Sequence, residues 1–251
     1  MEVLRSPLLG AVPHGFLGRA GGVSGGVVAG LNVGHGAGDE PALVAENRRR
    51  AVDAVAPGAR LVTVYQVHSA DCVAVADPWP EEARPHADAL VTDRPGLVLG
   101  ILTADCAPVL FADMDAGVIG AAHAGWKGAF GGVTDAVLAA MEKLGARRDR
   151  IHAVVGPCIA QASYEVDEGF RARFLDQDPA NARFFSAGRA GHHQFDLEGY
   201  VLDRLRAGGV GDAQRIGQDA YTQPDRFFSF RRATHRAEPS YGRQISLIAL
   251  P

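Results

Sequence analysis

The sequence is poor in cysteine and has no long apolar segment. Its 251 residues include only three cysteines, Cys72, Cys106 and Cys158. An odd number without regular spacing argues against a disulfide framework and for a reducing compartment. No apolar stretch reaches the roughly 18 uncharged residues that a transmembrane helix needs, and prolines and a charge interrupt the first residues, so no secretory leader is predicted. We therefore expect a soluble, cytoplasmic protein.

A strong charge of either sign is also lacking. The net charge is −4 and the isoelectric point is about 6.1. This balance gives no reason to expect nucleic acid or an acidic membrane surface as a partner, and nothing in the sequence indicates a protein partner. Hydrophobic residues make up 47% of the chain, which is enough for a large core. Because no repeat, linker or low-complexity segment divides the chain, we predict a single domain over residues 1–251.

Apolar patterning predicts more strands than helices. Strand-like runs cover Leu61–Val67, Cys72–Val75, Ala89–Thr92, Val98–Thr103, Val109–Ala112, Val118–His123, Ile151–Val155, Phe227–Arg231 and Gln244–Leu250. Helical spacing covers Pro41–Val55, Gly128–Leu144, Asp167–Phe174 and Leu197–Ala207, and His192-His193 falls in a polar loop. Because few strict β-α-β alternations appear, an α/β sandwich with mixed sheets is favoured over a doubly wound parallel fold.

Three residues with metal-binding side chains lie at predicted strand ends. His68, Cys106 and His123 each follow or close an apolar run. Imidazole nitrogen and thiolate sulfur are preferred zinc ligands, and three protein ligands with an open fourth position are typical of catalytic zinc. A thiolate also favours zinc or copper over magnesium or calcium. The spacing matches no finger pattern, so the residues alone also allow two satisfied core histidines and a small buried thiol.

The turn after His123 has the composition of an anion site. Gly125-Trp126-Lys127-Gly128 precedes a predicted helix, whose N-terminus carries a partial positive charge, and Lys127 adds a full one. A phosphate could therefore bind one turn from the metal, although the same residues would serve as plain turn glycines and a solvated lysine. Asp105 could orient a ligand histidine or cap a turn. Arg231-Arg232 could clamp a phosphate or pack over the sheet edge.

These motifs resemble one known family along nearly the whole chain. The most specific matches are Ala104-Asp105-Cys106 and His123-Ala124-Gly125-Trp126, with Gln66-Val67-His68, Ala87-Asp88-Ala89 and Gly156-Pro157-Cys158-Ile159 in the same order. The chain resembles the YfiH/PgeF family, also called the polyphenol-oxidase laccase-domain family. The resemblance implies a four-layer α/β/β/α sandwich.

The resemblance also implies a function and the residues that perform it. His68, Cys106 and His123 match the family's metal ligands and are the predicted catalytic residues, with zinc as the expected metal and copper as the alternative. The implied activities are phosphorolysis of adenosine, inosine, guanosine or methylthioadenosine, and deamination of adenosine, so the expected partners are a nucleoside and phosphate. We predict that Lys127, Arg48 and Gly125 bind substrate. Arg19 and Tyr164 also match family positions and could face the cleft.

Two other functions stay open as alternatives. Laccase chemistry requires a type 1 copper and a three-copper cluster, which many closely spaced histidines in His-x-His pairs usually supply. This chain has nine histidines and no such pair, which argues against a multicopper polyphenol oxidase. A cysteine hydrolase acting in peptidoglycan precursor editing would instead use Cys106 as the nucleophile and His123 as the base. Cys72 and Cys158 are predicted to be structural thiols in both cases.

Overall fold

The computed structural model describes residues Met1–Pro251. Its strands are β1 (Val3–Leu4), β2 (His14–Leu17), β3 (Arg60–Val62), β4 (Cys72–Ala74), β5 (Ala89–Thr92), β6 (Leu97–Thr103), β7 (Ala107–Asp113), β8 (Val118–Ala124), β9 (His152–Val155), β10 (Glu165–Asp167), β11 (Phe185–Ala187), β12 (His192–Phe195), β13 (Asp212–Arg215) and β14 (Gln244–Ala249). Its α-helices are α1 (Pro41–Val55), α2 (Trp126–Gly131), α3 (Val133–Lys143), α4 (Glu168–Gln177), α5 (Leu197–Ala207) and α6 (Phe230–His235). None of these helices has the length and apolar composition that a membrane span requires.

Two mixed sheets form the body of the fold. The first has five strands in the order β1-β2-β14-β6-β3, and the second has six in the order β13-β9-β7-β8-β5-β4. The β3–β6, β4–β5 and β9–β13 pairs are parallel, whereas the other neighbours in these two sheets are antiparallel. A small antiparallel sheet of β10, β12 and β11 lies outside them. The predicted α/β fold with mixed sheets is confirmed.

Three buried clusters show how the layers are stacked. One holds the facing sides of the two large sheets together, with Leu99 of β6 against Leu110 of β7 and Ile119 of β8. A second joins α1 to the outer face of the five-stranded sheet, and a third joins α3 and α5 to the outer face of the six-stranded sheet. The order of layers is therefore helix, sheet, sheet, helix, as the family resemblance implied.

The sequence patterns located most long elements correctly but not every boundary. Helices α1 and α5 begin and end at the predicted residues. The helix predicted over Gly128–Leu144 is split into α2 and α3 at Gly132, whose φ of 92° interrupts the helical path. The predicted strand Leu61–Val67 ends early at Val62, and the chain continues as a loop to His68.

Two predictions of local structure were wrong. Phe227–Arg231 is not a strand, because α6 begins at Phe230. Ser229 Oγ accepts a hydrogen bond from the Arg232 amide at 3.1 Å, and Asp105 Oδ2 accepts one from the Arg231 amide at 2.6 Å, so the helix start is capped twice. His192-His193 lies on β12 rather than in a loop, and His193 Nε2 pairs with Glu168 at 2.6 Å.

Candidate active site

His68, Cys106 and His123 meet where the two large sheets are joined. Cys106 lies in the connection from β6 of one sheet to β7 of the other, His68 follows β3, and His123 is on β8. The possible ligand atoms of the three side chains all lie within 4.8 Å of one another. Cys106 Sγ is 3.9 Å from His68 Nε2, and the two imidazole ring centres are 4.8 Å apart. The fold thus brings together the three residues that the sequence analysis selected.

The backbone around this cluster is held in unusual conformations. His68 and Asp105 have φ angles of 62° and 86°, in the left-handed region that non-glycine residues rarely adopt. Such residues cost about 1–3 kcal/mol each and persist only where the surroundings fix them. Gln66 supplies part of that restraint, because its side chain donates to the Leu102 carbonyl at 2.7 Å and accepts from the Leu102 amide at 2.9 Å. The loop before His68 is therefore fastened to β6.

One buried carboxylate orients both histidines. His123 Nδ1 donates to Asp88 Oδ1 at 2.7 Å, which leaves its Nε2 for the cluster. Asp88 Oδ2 accepts hydrogen bonds from the amides of Val67 and Ser69, at 3.0 and 2.6 Å, on either side of His68. Burial opposes the charge of Asp88, but the hydrogen bonds from His123 and Ser69 lower its pKa to about 2.

Cys106 and His123 each shift the pKa of the other towards its charged form. Burial opposes ionisation of the Cys106 thiol, but the charge and hydrogen bonding of His123, with a smaller contribution from His68, lower its pKa to about 6. Burial also disfavours the His123 cation, whereas the Cys106 thiolate and Asp88 raise its pKa to about 9. The geometry therefore favours a thiolate beside an imidazolium near neutral pH.

The donor set and the room around it fit a metal such as zinc or copper. Ligand atoms around tetrahedral zinc lie roughly 3.5 Å apart, close to the 3.9 Å between Cys106 Sγ and His68 Nε2. The Asp88–His123 hydrogen bond is the arrangement that commonly fixes a metal-binding imidazole. A Cβ atom at Gly125 would lie 2.8 Å from Cys106 Sγ and 3.1 Å from His68 Cδ2, so a larger residue would crowd the cluster.

Two cavities of different chemistry adjoin the cluster. The first, here called the cationic cavity, has a volume of about 240 Å³ and includes among its lining residues Arg48, Arg84, Arg243, Tyr65, Tyr241 and Gln66. The second, the aromatic cavity, has about 320 Å³ and includes Trp126, Tyr164, Phe230, Ile159 and Leu197, together with the cations Lys127 and Arg231. His68, Ala104 and Cys106 line both. The cluster therefore forms a common wall between an arginine-rich space and an aromatic one.

The predicted substrate-binding residues are distributed around this wall. Arg48 lines the cationic cavity, and Lys127 lines the aromatic one, where its exposed Nζ lies 5.7 Å from the centre of the Trp126 ring. Gly125 packs directly beside Cys106. Tyr164 also lines the aromatic cavity, with the Arg231 guanidinium 5.2 Å from its ring centre.

Several other candidates serve the fold. Arg19 donates to the carbonyls of Ala29 and Pro224 and lies over the Phe228 ring, so it is not in the cleft. Arg232 is buried and donates to three backbone carbonyls, those of Ala220, Tyr221 and Phe227. Asp105 caps α6 and does not orient a histidine.

The two remaining cysteines, both predicted to be structural thiols, differ in their burial. Cys158 is buried in the core, where burial raises its pKa. Cys72 is half-buried on β4 and packs against the same core.

The functional residue to which the sequence patterns assigned no role is Asp88, although it stands as a single acid between alanines just before an apolar strand.

A family model described as "multi-copper polyphenol oxidoreductase laccase" matches residues 13–251. The chain belongs to this laccase-domain family. Among its laccase-domain relatives, a protein of Deinococcus radiodurans named purine nucleoside phosphorylase is 43% identical over the whole of this chain and 94% of its own length. Another of the same name, from Streptomyces griseus, is 41% identical over 90% of this chain and 92% of its own.

Crystal structures of laccase-domain relatives have the same fold. A Neisseria meningitidis protein superposes with a TM-score of 0.89 at 32% identity, covering 99% of this chain and 98% of that one. YlmD of Geobacillus stearothermophilus superposes with a TM-score of 0.90 at 29% identity, covering 100% and 96%. Despite the family's description, this laccase-domain chain gathers a single group of three possible metal ligands, whereas a multicopper oxidase needs several copper centres.

Proposed function

We propose that this protein is a metal-dependent purine nucleoside phosphorylase whose reaction takes place at His68, Cys106 and His123. The observation that carries the proposal is the position of this cluster, between a cavity that offers aromatic surfaces and one that offers positive charge. Phosphorolysis joins an aromatic base, a ribose and an anion in one reaction. The relatives named purine nucleoside phosphorylase support the same assignment.

The aromatic cavity suits the purine. Trp126, Tyr164 and Phe230 present ring surfaces, and flat aromatic ligands pack well against such side chains. The ribose would then lie against the wall formed by His68 and Cys106. We propose that Lys127 and Arg48 contact substrate from the two cavities, and that Gly125 leaves space for the ligand beside Cys106.

The bond changes of phosphorolysis follow from this arrangement. A phosphate oxygen forms a bond to C1′ of the ribose while the bond from C1′ to the purine nitrogen breaks. The electron pair of that bond passes to the purine, and the proton of hydrogen phosphate ends on the purine. Positively charged side chains would hold the anion beside the sugar, which lowers the cost of bringing it to the reacting carbon.

His68, Cys106 and His123 are the residues that we propose as metal ligands, with zinc or copper as the metal. When bound there, the metal would supply a Lewis acid that polarises oxygen and activates water. Asp88 would keep His123 oriented through its Nδ1 hydrogen bond, and Gly125 would keep the space beside Cys106 open. For the same site we also propose adenosine deamination, in which water displaces ammonia from C6 of the base.

One observation favours a second candidate, a cysteine hydrolase that acts on peptidoglycan precursors. Cys106, His123 and Asp88 form a continuous chain of nucleophile, base and orienting carboxylate. The lowered pKa of the Cys106 thiol suits a nucleophile. The two candidates differ in what they require of Cys106, which would hold a metal in the first and attack a carbonyl in the second.

The test is a combined metal and activity measurement on protein purified without added metal. We expect about one zinc or copper per chain, together with release of free base and ribose 1-phosphate from adenosine, inosine or guanosine in the presence of phosphate. Chromatography of the products separates phosphorolysis from deamination, since only the latter forms inosine from adenosine. No turnover of any purine nucleoside by metal-loaded protein would contradict the proposal.

A further inference from the structure

Positively charged side chains are concentrated along the lining of the cationic cavity. Arg48, Arg84 and Arg243 line it, and none of its lining residues is acidic. Arginine presents a planar fork of donors that matches the oxygens of phosphate. Three such groups in one cavity, beside the proposed reaction centre, favour the binding of an anion.

One carboxylate at the edge of this cavity is shared between two arginines and lies near a histidine. Glu81 accepts from Arg48 Nη1 at 2.9 Å and from Arg84 Nη2 at 2.9 Å, and it lies 3.3 Å from His35 Nε2. The Glu81 side chain is 44% exposed, whereas that of Arg48 is only 11% exposed. The largely buried Arg48 is thus paired with an acid at the protein surface.

Two of the arginines keep donors that no acid satisfies. Arg48 Nη2 is buried and has no hydrogen-bond partner, although its Nε donates to the Val33 carbonyl at 2.9 Å. Arg243 makes no ion pair, and its Nη2 donates only to the hydroxyl of Tyr241 at 3.0 Å. A buried donor without a partner is costly, so Arg48 Nη2 favours a ligand that accepts hydrogen bonds. Arg243 lacks an acidic partner, so its charge favours an anionic ligand.

We propose that Arg48, Arg84 and Arg243 form a phosphate subsite, and that the Glu81 carboxylate pairs with Arg48 and Arg84 when phosphate is absent. The inference rests on the proposed function, because it identifies this ligand with the co-substrate of phosphorolysis. The cavity reaches His68 and Cys106 on one side of the common wall, and the aromatic cavity reaches them on the other. A phosphate in the cationic cavity and a nucleoside in the aromatic cavity would therefore both lie next to His68 and Cys106.

The same chemistry would accept either free orthophosphate or the 5′-phosphate of a nucleotide. The experiment separates the two by titrating the metal-loaded protein with inorganic phosphate and, independently, with adenosine 5′-monophosphate in isothermal calorimetry. Binding is measured directly, so the result does not depend on turnover. Thermal unfolding of each variant, including the conservative Arg243→Lys, shows whether the fold is kept.

Arginine and glutamate variants should change phosphate binding in opposite directions. We expect Arg243→Met and Arg48→Met to weaken inorganic phosphate about 10- to 100-fold, because each loses a charge-assisted contact. Glu81→Gln should strengthen phosphate binding by about three- to tenfold, since the competing charge is removed. Arg94→Met is the matched control, because Arg94 is 59% exposed and pairs only with its neighbour Asp93.

The possible outcomes separate this inference from the proposed function. Phosphate binding that is unchanged in both arginine variants, or weakened by Glu81→Gln, would overturn the inference even if the enzyme cleaves nucleosides. Arginine-dependent binding of the nucleotide without arginine-dependent binding of orthophosphate would overturn the co-substrate role. Arginine-dependent orthophosphate binding without nucleoside cleavage would support the subsite while the proposed function fails.

Discussion

The cationic and aromatic cavities share a wall but differ in how they are made. The aromatic cavity is formed by α2, by the segment after β9, by the start of α5 and by α6, whose first turn Asp105 and Ser229 cap. The cationic cavity is formed by α1, by the loop that carries Glu81 and Arg84, and by the residues before β14. One ligand cluster is thus placed between surfaces that come from distant parts of the chain. Each surface can be altered without removing the other.

The largest effect is expected from a change in the metal-binding cluster that both cavities share. Cys106→Ser should lower turnover of purine nucleosides by about 1,000-fold or more, because a ligand at the reaction centre is lost. Metal content should fall with it, since a hydroxyl binds zinc more weakly than a thiolate does. Kinetics and metal analysis of the purified variant provide the measurement.

Cys72→Ser is the matched control for this variant. Cys72 is half-buried on β4 and outside the cluster, and burial raises the pKa of its thiol to about 12. We expect it to keep both metal and activity. A Cys106→Ser protein that keeps its full metal content but is inactive would instead favour the cysteine hydrolase.

A smaller effect is expected when the three proposed ligands are kept but the residue that orients His123 is changed. Asp88→Asn should reduce metal affinity by about 10- to 100-fold, because His123 loses the carboxylate that orients its ring. Competition with a chelator measures this loss, and Asp71→Asn, which changes an exposed acid nearby, is the control. Equal metal affinity in the two variants would show that Asp88 serves only the loop around His68.

The protonation state of Cys106 gives a third prediction, which is tested on metal-stripped protein. With a pKa of about 6, Cys106 should be mainly thiolate at pH 7, and it should react with iodoacetamide roughly tenfold faster than an ordinary thiol of pKa about 8.5. Its rate should fall as pH drops through 6 and level off above about 7. Mass spectrometry of the modified peptide gives the rate at each pH. A rate that still rises steeply between pH 8 and 9 would contradict the thiolate–imidazolium pair.

The smallest effect should come from Lys127, and it sharpens the distinction between the cavities. Lys127 is exposed and contacts the Trp126 ring, so Lys127→Met should change the KM for phosphate by less than about threefold. Steady-state kinetics with varied phosphate test this against Arg243→Met. A large effect of Lys127 with none of Arg243 would reverse the assignment and place phosphate at the Gly125–Gly128 turn.

The sequence predicted an element of the fold well where the residues that determine it lie within the element itself. Strands β6 and β8 are continuous apolar runs buried throughout, and α1 carries its own helical periodicity, so these elements were evident. The segment from Phe227 is rich in aromatic residues, which favours a strand, yet α6 forms there with two caps, the local Ser229 and Asp105 from a position far away in sequence. No local pattern contains that contact.

Prediction of the site from the sequence was limited in the same way, by contacts between residues far apart in the chain. The three donors could be selected because imidazole and thiol side chains at strand ends are chemically distinctive. Asp88 could not be given its role from the sequence, since a carboxylate gains it only when β5 and β8 pair and the loop around His68 closes over it. The clustering of Arg48, Arg84 and Arg243 likewise depends on three segments that only the folded chain brings together.

The position of β14 has a consequence for the synthesis of the chain. β14 leaves the ribosome after β1 to β13, yet it lies inside the five-stranded sheet between β2 and β6 and pairs Ser246 with Phe16. Until it emerges, β2 and β6 each present an open edge, which is prone to mispairing and aggregation. A nascent chain that has not reached residue 243 already contains His68, Cys106 and His123 but lacks Arg243. The synthesis of residues 243–249 therefore closes the sheet and completes the cationic cavity in the same step.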